Sequence, residues 1–364
     1  TYYQHGFTLP GALGYHLGVP TVPIEGGDDM YASSAQNGVR DRLRLFAGRA
    51  HPGLAKEIAD RLGVSLGKLH VRQFPDTETK VQIEESVREA DIFIVQPTCP
   101  PVNENLMELL VILDAFQRAS AGSVTAVIPY YGYAKQDRKS TGREPISARL
   151  VADILTQAGA DRVISVDLHV AQIQGFFAIP MDHLTAMTTI ASYLKTKDLS
   201  NAVLVSPDVG RVKLAEKYSE LLDLPIVLMH KRRAGGSGTP EVMGIVGDVN
   251  GKTPIIVDDM ISTGGTIRTS AEALTEAGAD PCYIAATHGV LIGEALTRLD
   301  ADCIREVIVT NTVPVPAEKL AALPRLHVLS IADLLSDVIG RIHRGDSVSE
   351  VFNRGTEPQI HIPV

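Results

Sequence analysis

TPIIVDDMISTGGTI, residues 253–267, runs from an apolar stretch into two adjacent carboxylates, Asp258 and Asp259, then through Ser262, Thr263, Gly264, Gly265 and Thr266. A buried strand that ends in acids and turns through glycines into a helix is the ligand edge of an open parallel sheet. The glycines let backbone N–H groups face an anion, and the start of the helix adds partial positive charge. Two carboxylates beside a phosphate would repel it unless they served another part of the same ligand, and vicinal sugar hydroxyls suit paired acceptors. The segment therefore reads as a site for a ribose phosphate. An isolated Asp pair or a Thr-Gly-Gly turn is more often only a helix cap or a tight turn. The whole ordered string carries the reading, and it lacks both the Gly-Lys-Ser/Thr ending of a P-loop and the spacing of a dinucleotide fingerprint.

Outward from this stretch, short β-branched runs alternate with amphipathic segments of helical length from residue 42 onward. Strands are expected at RLRLFAG, KLHVRQF, DIFIVQP, VTAVIPY, RVISVDL, AVLVS, PIVLMH, PIIVD, YIAATHG, EVIVTNT and HVLSI. Helices are expected over 52–62, 103–120, 146–157, 186–196, 210–222, 264–277 and 331–343. This alternation predicts an α/β protein of two doubly wound domains with central, mostly parallel sheets, joined near residue 190. ETKVQI (78–83) alternates polar and apolar residues more cleanly, which predicts an antiparallel flap with one wet face.

The chain has 364 residues, 45% of them hydrophobic, and 34 Lys and Arg against 43 Asp and Glu, a formal charge of -9. That balance argues against a protein that coats nucleic acid or an anionic membrane, so an anionic ligand must be held by local cations. Cys99, Cys282 and Cys303 lack metal-ligand spacing and fit buried thiols in a reducing, cytoplasmic setting. Residues 1–41 read as an irregular extension rich in Gly, Pro and Tyr. No run reaches membrane-span length, and the first 39 residues hold no Lys or Arg, which argues against a signal or transit peptide.

Four cations, Lys135, Arg138, Lys139 and Arg143, share the strand-to-helix loop 133–145. Such clusters are usually solvated surface, but in an acidic chain they make a polyphosphate site, with Gln136 able to hydrogen-bond a nucleotide. Asp167 and His169 end one strand and Asp208 follows another; a carboxylate and an imidazole suit a Mg²⁺ still coordinated largely by water and phosphate. Gly210 and Arg211 read as structural. HKRRAGGSGTPE (230–241) has the composition of a basic lid over an anionic transition state.

Together FPDTET, NLMELL, VTAVIPYYGYAKQDRK, REPISARLVADIL, VDLHVAQIQGFF, VSPDVGR, HKRR, VDDMISTGGT and SVSEVF resemble, in order, the motifs of the ribose-phosphate pyrophosphokinase family within the phosphoribosyltransferase superfamily, over roughly residues 42–352. The resemblance implies transfer of the β,γ-diphosphoryl group of ATP to ribose 5-phosphate, two phosphoribosyltransferase-like domains (42–190 joined by 340–352, and 191–339) and a tail, 353–364. It implies Lys231 and Arg233 as catalytic; Phe74, Asp76, Thr77, Glu78, Lys135, Gln136 and His169 as ATP-binding; and Arg233, Asp258, Asp259, Ser262, Thr263, Gly264, Gly265 and Thr266 as ribose-5-phosphate-binding. His169 and Asp208 would hold Mg²⁺. It also implies a homo-oligomer, hexameric in the family's pattern, whose flap reaches the adenine of a neighbouring subunit. Ser86, Arg88, Gln174, Ser347 and Phe352 match positions around a second, regulatory site in some members. Lys135 and Ser262 depart from the more usual Arg and Asp. Two other readings remain open: a catalytically silent relative that regulates an active partner, and a phosphoribosyltransferase that consumes the activated sugar.

Overall fold

The computed structural model describes residues 42–233, 240–349 and 351, with backbone alone at 231–233 and 240–243. The first half runs β1 (Leu43–Ala47), α1 (Pro52–Leu62), β2 (Leu69–Gln73), β3 (Thr79–Ile83), β4 (Asp91–Val95), α2 (Val102–Arg118), β5 (Ser123–Ile128), α3 (Ser147–Gln157), β6 (Arg162–Val166), β7 (Met181–Leu184) and α4 (Met187–Leu194). The second runs β8 (Ala202–Ser206), α5 (Val212–Leu222), β9 (Ile226–Arg233), β10 (Pro240–Val246), β11 (Thr253–Ile261), α6 (Gly265–Glu276), β12 (Cys282–Gly289), α7 (Ala295–Leu299), β13 (Ile304–Thr310), α8 (Ala317–Ala322), β14 (Leu326–Leu329) and α9 (Ala332–Arg344).

One sheet has the order β1-β4-β5-β6-β7, all parallel. The other has the order β10-β9-β8-β11-β12-β13-β14, with only the β9–β10 pair antiparallel. The period of two along each strand feeds two cores, as a sheet covered on both faces requires. In the first sheet Ile92 and Ile94 join Leu109, Leu113 and Phe116 of α2, while Phe93 and Val95 join Leu54 and Ile58 of α1. In the second, Val203, Val205 and Ile256 pack with Ile267 and Leu274 of α6, and Leu204, Ile255 and Val257 pack with Ile190 of α4 and Tyr218 of α5.

The last helix leaves the second sheet and returns to the first. Ala332, Leu335, Val338 and Ile339 of α9 are buried against α1, each large apolar side chain there contributing about 1.5–3 kcal/mol.

The expected helices are present to within a few residues, and ETKVQI does form an antiparallel hairpin: β3 pairs with β2 alone. Leu69, Val71, Val81 and Ile83 turn inward. The sequence reading omitted β7, β10, α7 and α8. β7 (MDHL) and β10 (PEVMGIV) carry Asp, His, Pro or Gly inside the run, which weakens a strand signal that neighbouring strands then supply; α7 and α8 are too short for a helical period to register. Among the described residues no helix is long and apolar enough to cross a membrane.

Candidate active site

The apolar run of β11 is buried between β8 and β12, and its polar continuation extends past the end of β8, whose register with β11 stops at Val205 opposite Ile256. Asp258 and Asp259 therefore stand at the carboxyl edge of the sheet. The chain turns at Gly264, whose φ of 72° lies in the left-handed region and makes it the cap of α6 with no side chain capping the helix. The backbone favours glycine there through its positive φ, since the nearest atom to an added Cβ, the Ala295 carbonyl at 3.4 Å, is an ordinary contact. The loop is braced from outside, where Arg298 Nη1 donates to the Thr263 carbonyl at 3.1 Å and Ile292 N to that of Ser262 at 3.0 Å. A rigid glycine turn feeding an uncapped helix start is an anion receptor.

A cleft of about 430 Å³ opens over this loop. It is lined by residues 258–267 together with Lys135, His169, Asp208 and Arg211, so the cationic loop after β5 and the ends of β6, β8 and β11 all converge on it. His169 Nδ1 lies 2.7 Å from Asp259 Oδ2. A carboxylate only accepts, so this contact is made with the proton on Nδ1, while Arg211 Nη2, which only donates, competes for the same nitrogen at 3.0 Å; Nε2 makes no hydrogen bond to a described residue. Asp208 caps the turn that follows β8, accepting at Oδ1 from Arg211 N at 3.1 Å. Its second oxygen makes no hydrogen bond to a described residue.

Arg211 was read from sequence as structural; the fold instead puts it inside the cleft. Its Nε forms an ion pair with Asp258 Oδ1 at 2.9 Å and its Nη2 with Asp259 Oδ1 at 2.7 Å, and Nη2 also lies 3.0 Å from His169 Nδ1. The signal available was position: an arginine three residues beyond Asp208, at the same strand-to-helix turn, in an acidic chain. Its partners are remote in sequence, which hid its role.

Burial, reinforced by the neighbouring Asp259, pushes the Asp258 carboxyl up to about 8 against the pull of Arg211. Burial would also raise Asp259, but the His169 hydrogen bond and the Arg211 charge hold it well below the usual carboxylate range. A carboxyl with a raised folded-state pKa costs stability as it ionises. The loss accumulates from ordinary carboxylate pH, roughly 4, up to about 8. Asp258→Asn removes that ionisation. It should match the unmodified protein in Tm near pH 4 and exceed it by a few degrees at pH 9, since about 1 kcal/mol moves a protein of this size by roughly 2–4 °C. Scanning calorimetry at the two pH values reads the difference, and equal Tm at pH 9 would contradict the assignment.

The other expected residues lie elsewhere. Gln136 Oε1 accepts from Ser147 Oγ at 2.7 Å and so faces the start of α3, not the lining of the cleft. Asp167 braces the two sheets: Oδ2 accepts from Ala186 N at 2.9 Å and Thr287 Oγ1 at 2.6 Å, and its carbonyl from His288 Nε2 at 3.0 Å. Phe74, Asp76, Thr77 and Glu78 form the exposed tip between β2 and β3, with Arg72 and Lys80 each 5.8 Å from the Phe74 ring centre, and none of them lines the cleft. Ser86, Arg88 and Ser347 are exposed, and Gln174 contacts Ala171 O and His183. The backbone at Lys231 and Arg233 ends β9, but their side chains, residues 234–239 of the expected lid, Phe352 and the N-terminal extension lie outside the described residues.

Among the described residues no group of three or more His, Cys, Asp or Glu side chains is placed to hold a metal unaided. His169 Nε2 and Asp208 Oδ2 offer one nitrogen and one oxygen on the same cleft, a sparse set that suits a cation carrying its own water and phosphate ligands.

Comparison with known proteins accounts for this assembly. The model of the N-terminal domain of ribose phosphate pyrophosphokinase matches residues 43–159, and that of the phosphoribosyl synthetase-associated domain matches residues 236–353. A ribose-phosphate pyrophosphokinase of Gloeobacter violaceus is 50% identical over 86% of this chain and 93% of its own length. Ribose-phosphate pyrophosphokinase 1, chloroplastic, of Arabidopsis thaliana is 48% identical over 94% of this chain and 87% of its own. The crystal structure of phosphoribosylpyrophosphate synthetase from Mycobacterium smegmatis superposes with a TM-score of 0.79 at 48% identity, covering 84% of this chain and 99% of that one. Agreement on this scale, along nearly the whole of each relative, places the chain in the ribose-phosphate pyrophosphokinase family.

Proposed function

We propose that the protein transfers the β,γ-diphosphoryl group of ATP to the anomeric hydroxyl of ribose 5-phosphate, giving phosphoribosyl pyrophosphate and AMP. The observation that carries this reading is the single cleft in which the Gly264–Gly265 turn, the twin acids, His169, Asp208 and Lys135 meet. The turn and the start of α6 take the 5-phosphate, with Ser262 and Thr263 adding hydroxyl donors, and the acids take the sugar hydroxyls. Lys135 meets the nucleotide phosphates as a point charge where Arg would make a bidentate contact. Gln136 and the flap residues Phe74, Asp76, Thr77 and Glu78 complete the nucleotide site.

His169 and Asp208 would hold Mg²⁺, which when bound supplies neutralisation of phosphate charge. Diphosphoryl transfer asks the protein mainly for positioning and electrostatics. The sugar is fixed at its 5-phosphate by the turn and at its ring by the carboxylates, so the anomeric oxygen has a set direction. Lys231 and Arg233 neutralise charge developing on the transferred group, worth about 3 kcal/mol or more per donor.

The flap tip stands apart from the cleft in its own chain, which supports a nucleotide site completed by a neighbouring copy. An apolar surface on α2 and α3, where Met107 is 57% and Leu150 55% exposed, supports a homo-oligomer, a hexamer in the family's pattern. The two-domain division at about residue 190 and a cytoplasmic working place belong to the same reading.

Purified protein separated by gel filtration and mixed with ATP, Mg²⁺ and ribose 5-phosphate should release AMP and phosphoribosyl pyrophosphate in step, from the oligomeric fraction. No AMP from that fraction would favour a silent regulatory relative, and full activity in a monomeric fraction would remove the shared site.

A further inference from the structure

Arg211 has no role in the reaction as described so far, yet its contacts run across the whole site. Its backbone N–H is tied to Asp208. Its guanidinium forms ion pairs with Asp258 at 2.9 Å and Asp259 at 2.7 Å, Nη1 donates to the His169 carbonyl at 3.4 Å, and Nη2 lies 3.0 Å from His169 Nδ1. The side chain is 19% exposed, so these ion pairs are screened far less than surface ones. An arginine fork normally takes both oxygens of one carboxylate. Here two of its nitrogens face two different carboxylates, one oxygen of each.

An accounting of the four carboxylate oxygens shows that the two acids are not equivalent. Asp258 Oδ1 accepts from the backbone N–H of Asp259 at 2.8 Å and forms an ion pair with Arg211 Nε. Asp259 Oδ1 forms an ion pair with Arg211 Nη2, and its Oδ2 lies 2.7 Å from His169 Nδ1. Both oxygens of Asp259 are therefore engaged. Asp258 Oδ2 takes part in neither the Arg211 ion pair nor the backbone bond, and Asp258 lines the cleft.

We propose that Arg211 is the positioning residue of the sugar site: it holds the two carboxylates side by side and presents Asp258 Oδ2 as the acceptor for a ribose hydroxyl, while Asp259 is committed to orienting His169. The inference rests on the ribose 5-phosphate reading given above. Without the guanidinium the two acids lose the partner they share, and the acceptor loses its fixed direction. Lysine supplies the charge but not the fork, so it restores one pairing and not the spacing.

Calorimetric titration tests this on the intact oligomer. Ribose 5-phosphate, with and without a non-hydrolysable ATP analogue, is titrated into the unmodified protein, Arg211→Met, Arg211→Lys and Asp258→Asn. ATP without magnesium is titrated separately. Arg211→Met should weaken the sugar phosphate tenfold or more, about 1.4 kcal/mol, and change ATP binding less than threefold, with Arg211→Lys between the two. A merely structural role would weaken both ligands together and give lysine no advantage over methionine. Sugar-phosphate affinity in Arg211→Met equal to that of the unmodified protein overturns the proposal. Should Arg211→Met fail to fold, unaltered affinity in Arg211→Lys overturns it instead. If the unmodified protein binds no ribose 5-phosphate, or Asp258→Asn binds it as tightly, the sugar reading itself is lost whatever Arg211 does.

Discussion

Replacing Gly265 by valine should raise the KM for ribose 5-phosphate a hundredfold or more and leave Tm within about 2 °C of the unmodified protein. The two halves of the expectation come from different observations. A Cβ at Gly265 meets only Arg298 Nη1 at 3.6 Å and Thr263 Oγ1 at 3.9 Å, ordinary contacts, and the residue is not in the left-handed region that favours glycine at Gly264. The fold therefore accepts the side chain. The ligand does not, because Gly265 is the first residue of α6 and lines the cleft. A phosphate bound by helix-end N–H groups needs close approach to bare backbone, and a branched side chain removes that approach. Losing several such donors to one anion is worth a few kcal/mol, which sets the hundredfold scale. Steady-state kinetics with ribose 5-phosphate varied at saturating ATP, alongside a thermal melt, read both quantities. A KM within threefold of the unmodified value in a folded variant would move the phosphate off this loop. A collapsed melt would instead show that the packing against α7 is tighter than the distances indicate.

Lys231→Ala should reduce turnover by a hundredfold or more while ATP still binds with near-normal affinity. The argument uses the backbone alone. β9 is parallel to β8 and its register places Leu228 opposite Ser206, the last residue of β8. Lys231 lies three residues further on, about 10 Å at the rise of a strand, still within β9 and paired to Val242 of β10. Its backbone thus lies beyond the same carboxyl edge that carries Asp208 and Asp258. A cation there meets charge that grows as the diphosphoryl group moves, so its removal penalises the transition state more than the bound nucleotide. Measured turnover and ATP affinity separate the cases: lost turnover with retained binding supports the role, and unchanged turnover removes Lys231 from the mechanism. Equal loss of binding and turnover would assign it to ground-state affinity.

Much of the architecture was legible because its signals are local. The stretch 264–277 reads as a helix from its apolar spacing and its glycine start, and α6 occupies Gly265–Glu276. The loop that lines the cleft was legible for the same reason, since acids, glycines and helix start are neighbours in the chain. β7 and β10 were not, because their pairing depends on strands already in place. Gln136 reads from the sequence as a nucleotide ligand, and the geometry puts its amide oxygen against Ser147.

The sequence by itself determined the strand-and-helix rhythm, the glycine turn before α6 and the kinship carried by its motifs, all of which are written in residues close together along the chain. Tertiary structure alone decided how the site is wired. His169 meets Asp259 across 90 positions, Arg211 joins the two acids, and the final helix returns to the first sheet. The reason is physical: periodicity and turn chemistry act over a few residues, whereas which buried charge finds which partner depends on where two sheets place their edges.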